Sequence, residues 1–369
     1  MDKKIIVISA VNLVEAGTLA ILKECLAYLS NLAENGQYRV VAIVYDKSLA
    51  EYPNIEYIET KWPKKRWINR LWYEYVSMND ISKSLGDVYL WFSLHDTTPT
   101  VKAHIRAVYC HNSYSFYKWK LHDLIFAPKI ALFAIFTKFI YRTNIYQNKY
   151  LVVQQQWFRE GLSNMFNIPQ SKIIVAKPES KLDADVINLP NMNDTYSFIF
   201  AGSPNSHKNF EIICQATEIL EKKHQITNFK IHLTLQGNEN KYASWIKKNW
   251  GHLITINFMG FIPKDVLLDY YSRVQCLIYP SKVESWGLPI SEFARYNKPM
   301  LLANLPYAHE TAEGAQAVSF FDPLDADQLA EQMRQLIQGN THILAPIEKR
   351  NLATPIAKNW EELFRILLK

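Results

Sequence analysis

Short apolar runs rich in β-branched residues recur along the first half of the chain, with helical patterns between them. Near-continuous apolar strands that alternate with helices are typical of a parallel sheet covered on both faces. After the first run, leucines 19, 22, 26 and 29 mark one helical face, with Thr18 as a candidate N-cap. The runs predict strands at Lys4–Ser9, Arg39–Tyr45, Asn54–Glu59, Asp87–Ser93, Ile105–Cys110, Tyr150–Gln154 and Lys172–Ala176.

A polar segment with two prolines, Pro178–Asp194, interrupts this pattern and is the candidate linker. We therefore expect two doubly wound α/β domains, over residues 1–180 and 195–354, with the cleft between them as the ligand site. The chain ends in an amphipathic pattern, and a helix over 355–369 is expected to dock back on the first domain. The second series of strands is predicted at Tyr196–Ala201, Lys230–Leu235, Leu253–Met259, Cys276–Tyr279, Pro299–Ala303 and Ala317–Phe321.

The length of the chain supports two domains, and its charge distribution indicates a class of partner. The 369 residues suit two domains, and hydrophobic (49%) and charged (21%) contents exclude disorder and a small disulfide scaffold. Residues 1–180 hold 22 Lys and Arg against 15 Asp and Glu, whereas residues 181–369 hold 19 against 20. The basic first half indicates a polyanionic partner or an anionic membrane surface. Four widely spaced cysteines and an N-terminus without a signal-peptide pattern favour a cytoplasmic protein.

Two segments mix apolar, aromatic and basic residues, at Lys61–Tyr75 and Leu124–Ile140. Neither reaches the roughly 18 consecutive apolar residues of a membrane-spanning helix. Their composition suits a surface that rests on lipid headgroups, at the inner face of the cytoplasmic membrane. Each segment also has a plainer interpretation. The first can be an ordinary basic surface loop, and the second can be a buried helix with solvated ends.

The segment Tyr279–Asn304 carries the most informative chemistry. A strand ends before Pro280-Ser281, a loop follows with Glu284, Trp286 and Gly287, and Pro289 suits the first turn of a helix that contains Glu292. The amides of Gly287 and Leu288 at a helix N-terminus favour an anion, and neighbouring carboxylates accept hydrogen bonds from sugar hydroxyls. An acid in a first helical turn is also favourable through the helix dipole alone.

In its C-terminal half, over about residues 196–323, the sequence resembles the retaining family 4 glycosyltransferases of the GT-B fold. The resemblance implies two Rossmann-like domains that face a central cleft. It also implies that Glu292 binds the nucleotide ribose, that Glu284 binds the transferred sugar, and that the backbone amides of residues 286–288, from Trp286 to Leu288, meet the donor sugar or its diphosphate. The family pattern is carried, in order, by Phe258-Met259-Gly260, Leu267–Tyr271, Pro280-Ser281, Glu284, Trp286, Gly287-Leu288-Pro289, Glu292, Lys298-Pro299, Glu310 and Phe321-Asp322-Pro323.

A second donor-binding element is expected at Phe200–Asn209. Gly202 ends a strand and Lys208 precedes a helix, where a held lysine neutralises a diphosphate leaving group. The resembling family usually has an arginine directly after this glycine, and Ser203 occupies that position here. His207 is a candidate substitute for the missing cation. A plain surface lysine at the helix start is the alternative for Lys208.

The first half matches the family less tightly. Gly17 lies where the family usually has a pair of glycines and Ala16 fills the other position, so the loop is expected to allow backbone approach to a phosphate. A strand end at Ala107–Asn112 resembles the one that carries a histidine near the donor sugar, which assigns His111 to the catalytic site. His95 ends the preceding strand signal and is a weaker candidate for the same place.

Two Asp-Ala-Asp triplets, Asp183–Asp185 and Asp325–Asp327, could suggest a metal-dependent transferase of the other common glycosyltransferase fold. The first lies in the candidate linker and the second suits a helix cap, so no metal site and no cofactor is expected. The expected enzyme is a retaining, metal-independent, hexosyltransferase-type glycosyltransferase. The expected catalytic residues are Glu284, Lys208 and His111, and the expected donor substrate is a nucleotide-diphosphate sugar.

The expected acceptor is a lipid-linked glycan of surface-polysaccharide assembly, of the O-antigen or capsule type, and nucleic acid is not an expected partner. A GT-B sugar-nucleotide epimerase or hydrolase is an alternative. A non-catalytic partner protein on this fold is another, although the presence of Glu284, Glu292 and Lys208 argues against it. A dinucleotide-dependent dehydrogenase is disfavoured because the chain contains no Gly-x-Gly-x-x-Gly run.

Overall fold

A computed structural model describes residues 3–178, 189–190 and 195–369. Most of the candidate linker, and with it the triplet Asp183–Asp185, lies outside these residues. The chain divides into two compact units. The first comprises Met1–Ser115, Phe136–Glu179 and Leu352–Lys369, and the second comprises Phe116–Ile135 and Ser180–Asn351.

The first unit is built on an eight-stranded sheet in which every strand is parallel to its neighbours. Its order, from one edge to the other, is β14-β7-β6-β5-β4-β1-β2-β3. The strands are β1 (Lys4–Ala10), β2 (Tyr38–Val44), β3 (Ile55–Glu59), β4 (Val88–Ser93), β5 (Ile105–Tyr109), β6 (Tyr150–Val153), β7 (Ile173–Ala176) and β14 (Ile356–Ala357).

Alternate residues of β1 enter different hydrophobic clusters, because successive side chains of a strand point to opposite faces. Ile6 and Ile8 belong to one cluster, and Ile5 and Val7 to the other. Both faces of the sheet are therefore covered. Helices of the first part of the chain are α1 (Ala16–Glu34), α2 (Trp67–Trp72), α3 (Met78–Ser84), α4 (Leu121–Phe126), α5 (Pro128–Arg142) and α6 (Gln156–Phe166).

The second unit is built on a six-stranded parallel sheet of order β10-β9-β8-β11-β12-β13. Its strands are β8 (Tyr196–Phe200), β9 (Phe229–Leu233), β10 (Ile256–Phe258), β11 (Cys276–Tyr279), β12 (Met300–Ala303) and β13 (Val318–Phe321). The remaining helices are α7 (Phe210–Glu218), α8 (Lys241–Trp250), α9 (Lys264–Arg273), α10 (Leu288–Ala294), α11 (Pro306–Thr311), α12 (Ala326–Ile337) and α13 (Trp360–Leu367).

The strand order reverses at one point in each sheet, between β1 and β4 in the first and between β8 and β11 in the second. In open α/β sheets, ligands bind outside the carboxyl ends of the strands at such a switch point. The Rossmann-like order of both sheets confirms the doubly wound fold predicted for each half of the chain. It also directs attention to the residues that follow β8 and β11.

All thirteen predicted strands are present, with ends shifted by up to three residues. The two-residue strand β14 was not predicted, and it pairs with β7 at the edge of the first sheet. The last helix, α13, begins after Asn359, whose side chain caps it, and it contacts α1 within the first unit.

The structure differs from three expectations of local structure. Helix α1 begins at Ala16, and the hydroxyl of Thr18 donates to the carbonyl of Glu15, so Thr18 lies inside the first turn and is not the N-cap. The apolar stretch Leu124–Ile140 is divided between α4 and α5, because Pro128 disfavours helical backbone at Ala127. Gly17 is likewise in the first turn of α1 and not in the loop before it.

Residues 116–135 pack with the second unit, although the predicted boundary assigned them to the first domain. Asp123 of α4 accepts a hydrogen bond from Ser206, and Phe126 packs on Trp245 of α8. These contacts lie within the second unit, and the sequence pattern gave no sign of them.

Candidate active site

A lysine–glutamate pair lies at the switch point of the second sheet. Lys208 ends a 3-10 turn in the connection that follows β8, and Glu284 lies in the loop that follows β11. Lys208 Nζ donates to Glu284 Oε1 at 2.5 Å, and both side chains are largely buried, with 14% and 15% exposed. The structure therefore joins two residues that are 76 positions apart and that the sequence assigned to one site.

Glu284 is an ionised hydrogen-bond acceptor. Burial acts to raise the pKa of its carboxyl, but the charge and hydrogen bond of Lys208 outweigh burial and lower it below the ordinary range. Tyr279 OH also donates to Glu284 Oε1, at 3.0 Å. Burial and the negative charge of Glu284 raise the pKa of Tyr279, which keeps this phenol a donor. A carboxylate held in this state accepts hydrogen bonds from hydroxyl groups such as those of a sugar.

The turn that carries Lys208 is fastened to the loop that carries Glu284. The backbone N–H of Lys282 and the hydroxyl of Ser281 both donate to the carbonyl of His207, at 2.7 and 3.3 Å. The side-chain amide of Asn209 donates to the carbonyl of Pro280 at 3.2 Å. These bonds give the Pro-Ser pair a structural role, since they bring the loops after β8 and β11 together.

Gly202 provides room beside the lysine. A Cβ at this position would lie 3.1 Å from the ring of Phe200 and 3.6 Å from Lys208 Cδ. The N–H of Gly202 donates to the hydroxyl of Thr234, so it is engaged within the protein. Gly202 thus lies beside Lys208, and a side chain at this position would crowd Phe200.

His207 does not replace the missing arginine. Burial, together with the positive charge of Lys208, lowers the pKa of its imidazole to about 3, so the ring is neutral near pH 7. Ser203 is exposed, and its hydroxyl accepts a hydrogen bond from Asn205. His207 therefore does not supply a second positive charge near pH 7, because burial and the charge of Lys208 keep its ring neutral.

The loop before α10 is held by specific contacts. Gly287 is the N-cap with φ +89°, a left-handed conformation that favours glycine, and a Cβ there would meet Ile290 and Tyr307. The indole of Trp286 donates to Ser291, and the Trp286 carbonyl accepts from the hydroxyl of Thr311. Leu288 is exposed at the first position of α10. Pro289 occupies the first turn, as predicted.

Glu292 lies at the start of the second turn of α10, although it was expected in the first. The helix begins at Leu288, so Glu292 is its fifth residue and lies beyond the first turn. Its carboxylate accepts from Lys264 Nζ of α9 at 2.8 Å, and its side chain is only 12% exposed. Because Glu292 is not in the first turn, the helix dipole contributes little to its placement, and the charged partner that the structure shows for it is Lys264.

Three polar residues near the predicted site were missed. Tyr279 is the last residue of β11, a position at the carboxyl end of a strand that should have marked it. Tyr307 on α11 donates to the carbonyl of Ser281 at 2.6 Å. Lys264 contacts Glu292 from 28 positions away. No spacing signal links Tyr307 or Lys264 to the site, because they reach it only through the fold.

The two predicted residues of the first half lie in the first unit. Gly17 is exposed at the start of α1. His111 follows β5, stacks on Tyr109 with ring centroids 4.3 Å apart, and approaches the carbonyl of Leu94 with Nε2 at 3.0 Å. A carbonyl only accepts, so Nε2 carries the proton. Within the residues that the structure describes, Nδ1 has no hydrogen-bond partner, and burial lowers the pKa of the ring.

His95 is part of a buried ionic group. Its Nδ1 lies 3.2 Å from Glu74 Oε1, and Arg70 Nε donates to the same oxygen at 2.8 Å. Burial acts to raise the pKa of Glu74, yet His95 and Arg70 hold it at about 2. These contacts within the first unit account for His95 as a structural residue.

Among the described residues, no group of three or more His, Cys, Asp and Glu side chains is arranged to hold a metal ion. Asp325 caps α12 by accepting from the N–H of Gln328, which is the role its sequence position suggests. In the same residues, no helix combines the length and the apolarity needed to cross a membrane.

Part of the chain matches a known protein family. Residues 185–360 match the family model described as "Glycosyl transferases group 1". The match contains β8, β11 and α10, and with them Lys208, Glu284 and Glu292. Over residues 185–360, which are just under half of the chain, the sequence is similar to the group 1 glycosyl transferases.

The chain is also similar to a curated protein, O-antigen chain mannosyltransferase B of Escherichia coli, with 23% identity over 209 residues. The alignment covers 52% of each protein, so the chain spans about half the length of this relative.

Solved structures resemble the whole chain. The apo form of the lipopolysaccharide outer core galactosyltransferase WaaB has a TM-score of 0.62 and 13% identity, with 92% of this chain and 91% of that one covered. HepE of Anabaena in complex with UDP and glucose has a TM-score of 0.59 and 11% identity, with 92% and 91% covered. At such low identity the likeness establishes the fold, which is GT-B with two Rossmann-like domains.

Proposed function

We propose that this protein transfers a sugar from a nucleotide-diphosphate sugar to an acceptor hydroxyl. The observation that carries the proposal is the buried Lys208–Glu284 pair at the switch point of the second sheet. It lies inside the region that matches the group 1 glycosyl transferases. One held cation and one held carboxylate suit a substrate that combines a diphosphate with a hydroxyl-rich ring.

Each residue has a distinct role in the proposal. Lys208 neutralises the departing diphosphate, and Glu284 accepts hydrogen bonds from the donor sugar. Glu292 accepts from the ribose. His111, neutral and protonated on Nε2, offers Nδ1 as an acceptor to the sugar. The fixed charge of Lys208 contributes most to the rate, because it is already in place when negative charge develops on the leaving group.

The proposed reaction retains the configuration of the sugar and needs no metal ion. The bond between the anomeric carbon and the diphosphate breaks while the acceptor oxygen bonds to the same face of that carbon. The leaving phosphate takes the proton of the acceptor hydroxyl, so no carboxylate nucleophile is required. Lys208 supplies the positive charge that the leaving group needs.

The proposed acceptor is a lipid-linked glycan of O-antigen or capsule type. The curated relative acts on an O-antigen chain and the structural relative WaaB on a lipopolysaccharide core, which supports this acceptor class. The relatives differ in the sugar that they name, so the donor is to be found by experiment.

A thermal-shift panel of GDP-mannose, UDP-glucose and the free nucleotides tests donor binding. A ligand that binds only the folded state raises the free energy of unfolding by about 2.7 kcal/mol when its concentration is a hundred times Kd. The melting temperature rises as a result. At least one nucleotide sugar is expected to stabilise the wild type and to do so less in Lys208→Ala. Equal melting curves with and without every nucleotide would refute the donor site.

Product analysis distinguishes transfer from the alternatives. An epimerase or hydrolase converts the donor fully without an acceptor, whereas a transferase needs a glycan lipid for rapid turnover. Rapid conversion in a donor-only reaction would favour the epimerase or hydrolase. Donor binding without turnover under either condition would favour a non-catalytic partner.

We also propose that the protein acts at an anionic membrane surface. Around α2, large apolar side chains are exposed, including Ile68 at 70% and Trp72 at 61%, beside the basic run Lys64, Lys65 and Arg66. Exposed tryptophans flanked by cations are typical of a helix that rests on lipid headgroups. Helix α5 likewise exposes Leu132, Phe136 and Phe139.

Vesicle sedimentation tests this surface. The probe is a vesicle with about 30% phosphatidylserine. Replacing Lys64, Lys65 and Arg66 with alanine is expected to weaken the binding free energy by roughly 1 kcal/mol per residue. Salt at about 0.5 M should weaken the binding of the wild type. Alanine at Lys222, Lys223 and Lys248, which are exposed in the second unit, is the charge-matched control. Equal loss in both triple variants would contradict a specific surface around α2.

A further inference from the structure

Helix α4 lies against the candidate active site, although it comes from a distant part of the chain. It lies between β5 and β6, two strands of the first sheet, yet residues 116–135 pack with the second unit. This segment is also outside the region that matches the group 1 glycosyl transferases. Its contacts therefore belong to this chain and are not implied by the family match.

One side of α4 reaches the turn that carries Lys208. Asp123 is 2% exposed, and its Oδ1 accepts from Ser206 Oγ and from Tyr117 OH, each at 2.9 Å. Its Oδ2 accepts from the N–H of Lys120 at 2.8 Å. Ser206, which is fully buried, is the first residue of the three-residue turn that ends at Lys208. Asp123 thus fixes the start of that turn.

The same helix also reaches the loop that carries Glu284. Phe126 packs on Tyr242 of α8, with ring centroids 6.0 Å apart. Tyr242 OH donates to Glu211, and Lys282 Nζ donates to the other oxygen of Glu211 at 2.8 Å. Lys282 lies two residues before Glu284. Contacts from α4 therefore continue to both halves of the Lys208–Glu284 pair.

A carboxylate is well suited to hold such a turn. It accepts several hydrogen bonds at once, and bonds to a charged acceptor are stronger than neutral ones. Without Asp123, the buried hydroxyl of Ser206 loses its acceptor, and the turn has a reason to rearrange. A displacement of Lys208 weakens its interaction with a phosphate, because that interaction depends on distance and geometry.

We propose that Asp123 is a positioning residue for Lys208, and that it acts through Ser206. The proposal rests on the proposed function, in which Lys208 binds the donor diphosphate. It places part of the donor site's support outside the group 1 region, in a helix from the first half of the chain. Asp123 touches neither the donor nor the reacting atoms in this proposal.

A double-mutant cycle on nucleoside diphosphate binding tests the role. Calorimetry measures Kd for GDP and UDP with Asp123→Asn, Ser206→Ala and Lys208→Ala, and with each of the first two combined with Lys208→Ala. The single variants at Asp123 and Ser206 are expected to weaken binding about tenfold, the loss of roughly one hydrogen bond to a charged group. In the Lys208→Ala background the same changes are expected to have no further effect, because no lysine remains to be positioned.

Two controls separate positioning from general destabilisation. Ser272→Ala removes another buried hydroxyl of the second unit, and Asp325→Asn alters another helix-associated carboxylate. Neither should change Kd. Urea unfolding checks each variant, and Ser206→Ala, which removes a single oxygen, carries the test where Asp123→Asn is unfolded.

The binding measurements distinguish failure of the positioning role from failure of the proposed function. If Asp123→Asn and Ser206→Ala reduce the affinity for the nucleoside diphosphate as much in the Lys208→Ala background as in the wild type, the positioning role is overturned. The proposed function would then remain intact. Binding in Lys208→Ala equal to that of the wild type would overturn both, since Lys208 would then not bind the diphosphate.

Discussion

Lys208 and Glu284 neutralise each other in the absence of a donor. Their 2.5 Å contact is largely shielded from water, and removing either partner leaves a buried charge without its counter-charge. A change at either residue therefore affects stability as well as activity. Turnover of such variants has to be compared at equal folded fractions, which unfolding curves provide.

The buried histidine beside this pair predicts a pH dependence of stability. The pKa of His207 falls from its ordinary 6.5 to about 3 on folding, because burial and Lys208 disfavour the charged ring. Below pH 6.5 the unfolded chain takes up a proton that the folded chain does not, so the free energy of unfolding falls as the pH drops from 6.5 toward 3. His207→Gln should flatten this slope, as measured by urea unfolding between about pH 6.5 and about pH 4.5.

That window avoids the main carboxylate contribution. The pKa of Glu74 shifts from 4.5 to about 2 on folding, so its stabilisation is present above about pH 4.5 and is lost as the pH falls toward 2. His342→Gln, at an exposed histidine, is the matched control and should leave the slope unchanged. A slope in His207→Gln equal to that of the wild type would show that His207 titrates normally in the folded state.

At the scale of single residues, the sequence predicted the charged pair and missed its support. Glu284 and Lys208 follow strands whose carboxyl ends meet at a switch point, and residues in such places are foreseeable from order alone. Tyr307 and Lys264 lie on helices whose orientation depends on packing, so no pattern indicated them. The neutral state of His207 depends on burial next to Lys208, which a sequence does not reveal.

At the scale of elements, apolar strands were the most predictable feature. The inner strands of the two sheets are runs of mostly buried residues, as expected where both faces of a sheet are covered, whereas the edge strands β3 and β10 are less buried. Strand β14 has only two residues and carries no periodicity. The placement of α4 was also unpredictable, because its polar contacts, such as the one from Asp123 to Ser206, connect residues 83 positions apart.

The C-terminal helix predicts a large stability effect. Phe364 of α13 is fully buried, stacks on Tyr28 of α1 and meets the ring of Phe92 edge-on. Phe364→Ala should lower the free energy of unfolding by about 3–5 kcal/mol, the usual cost of a deleted core phenylalanine. Denaturant unfolding measures the loss. Phe139→Ala, at an exposed site on α5, should cost less than about 0.5 kcal/mol, and similar losses in the two variants would contradict the docking of α13.

At the scale of the whole molecule, charge and chemistry divide between the two halves. The excess of basic residues is confined to residues 1–180, which include the exposed tryptophans around α2. The predicted donor residues, apart from Gly17, and two of the three catalytic residues lie in the second unit. This division suits an enzyme that meets a lipid-linked acceptor with one half of the chain and a soluble donor with the other.

The proposed chemistry also predicts that turnover does not depend on a metal ion. In the proposal, Lys208 provides a fixed positive charge for the leaving diphosphate. About 5 mM EDTA should therefore leave the initial rate within a factor of about two of the untreated rate, well short of the tenfold change that corresponds to about 1.4 kcal/mol. Initial rates of nucleoside diphosphate release, with and without EDTA, measure this. Loss of the rate in EDTA and its recovery with Mg²⁺ would contradict the assignment of leaving-group stabilisation to Lys208.

The most direct test of the donor site is the rate of nucleoside diphosphate release by the full chain. The reaction contains GDP-mannose or UDP-glucose and a lipid-linked glycan extract, and it compares the wild type with Lys208→Ala, Glu284→Ala and the exposed control Glu348→Ala. We predict release from at least one donor, reduced about 10²–10³-fold in Lys208→Ala and in Glu284→Ala and unchanged in Glu348→Ala. Rates equal to the wild type in folded Lys208→Ala or Glu284→Ala would contradict the account.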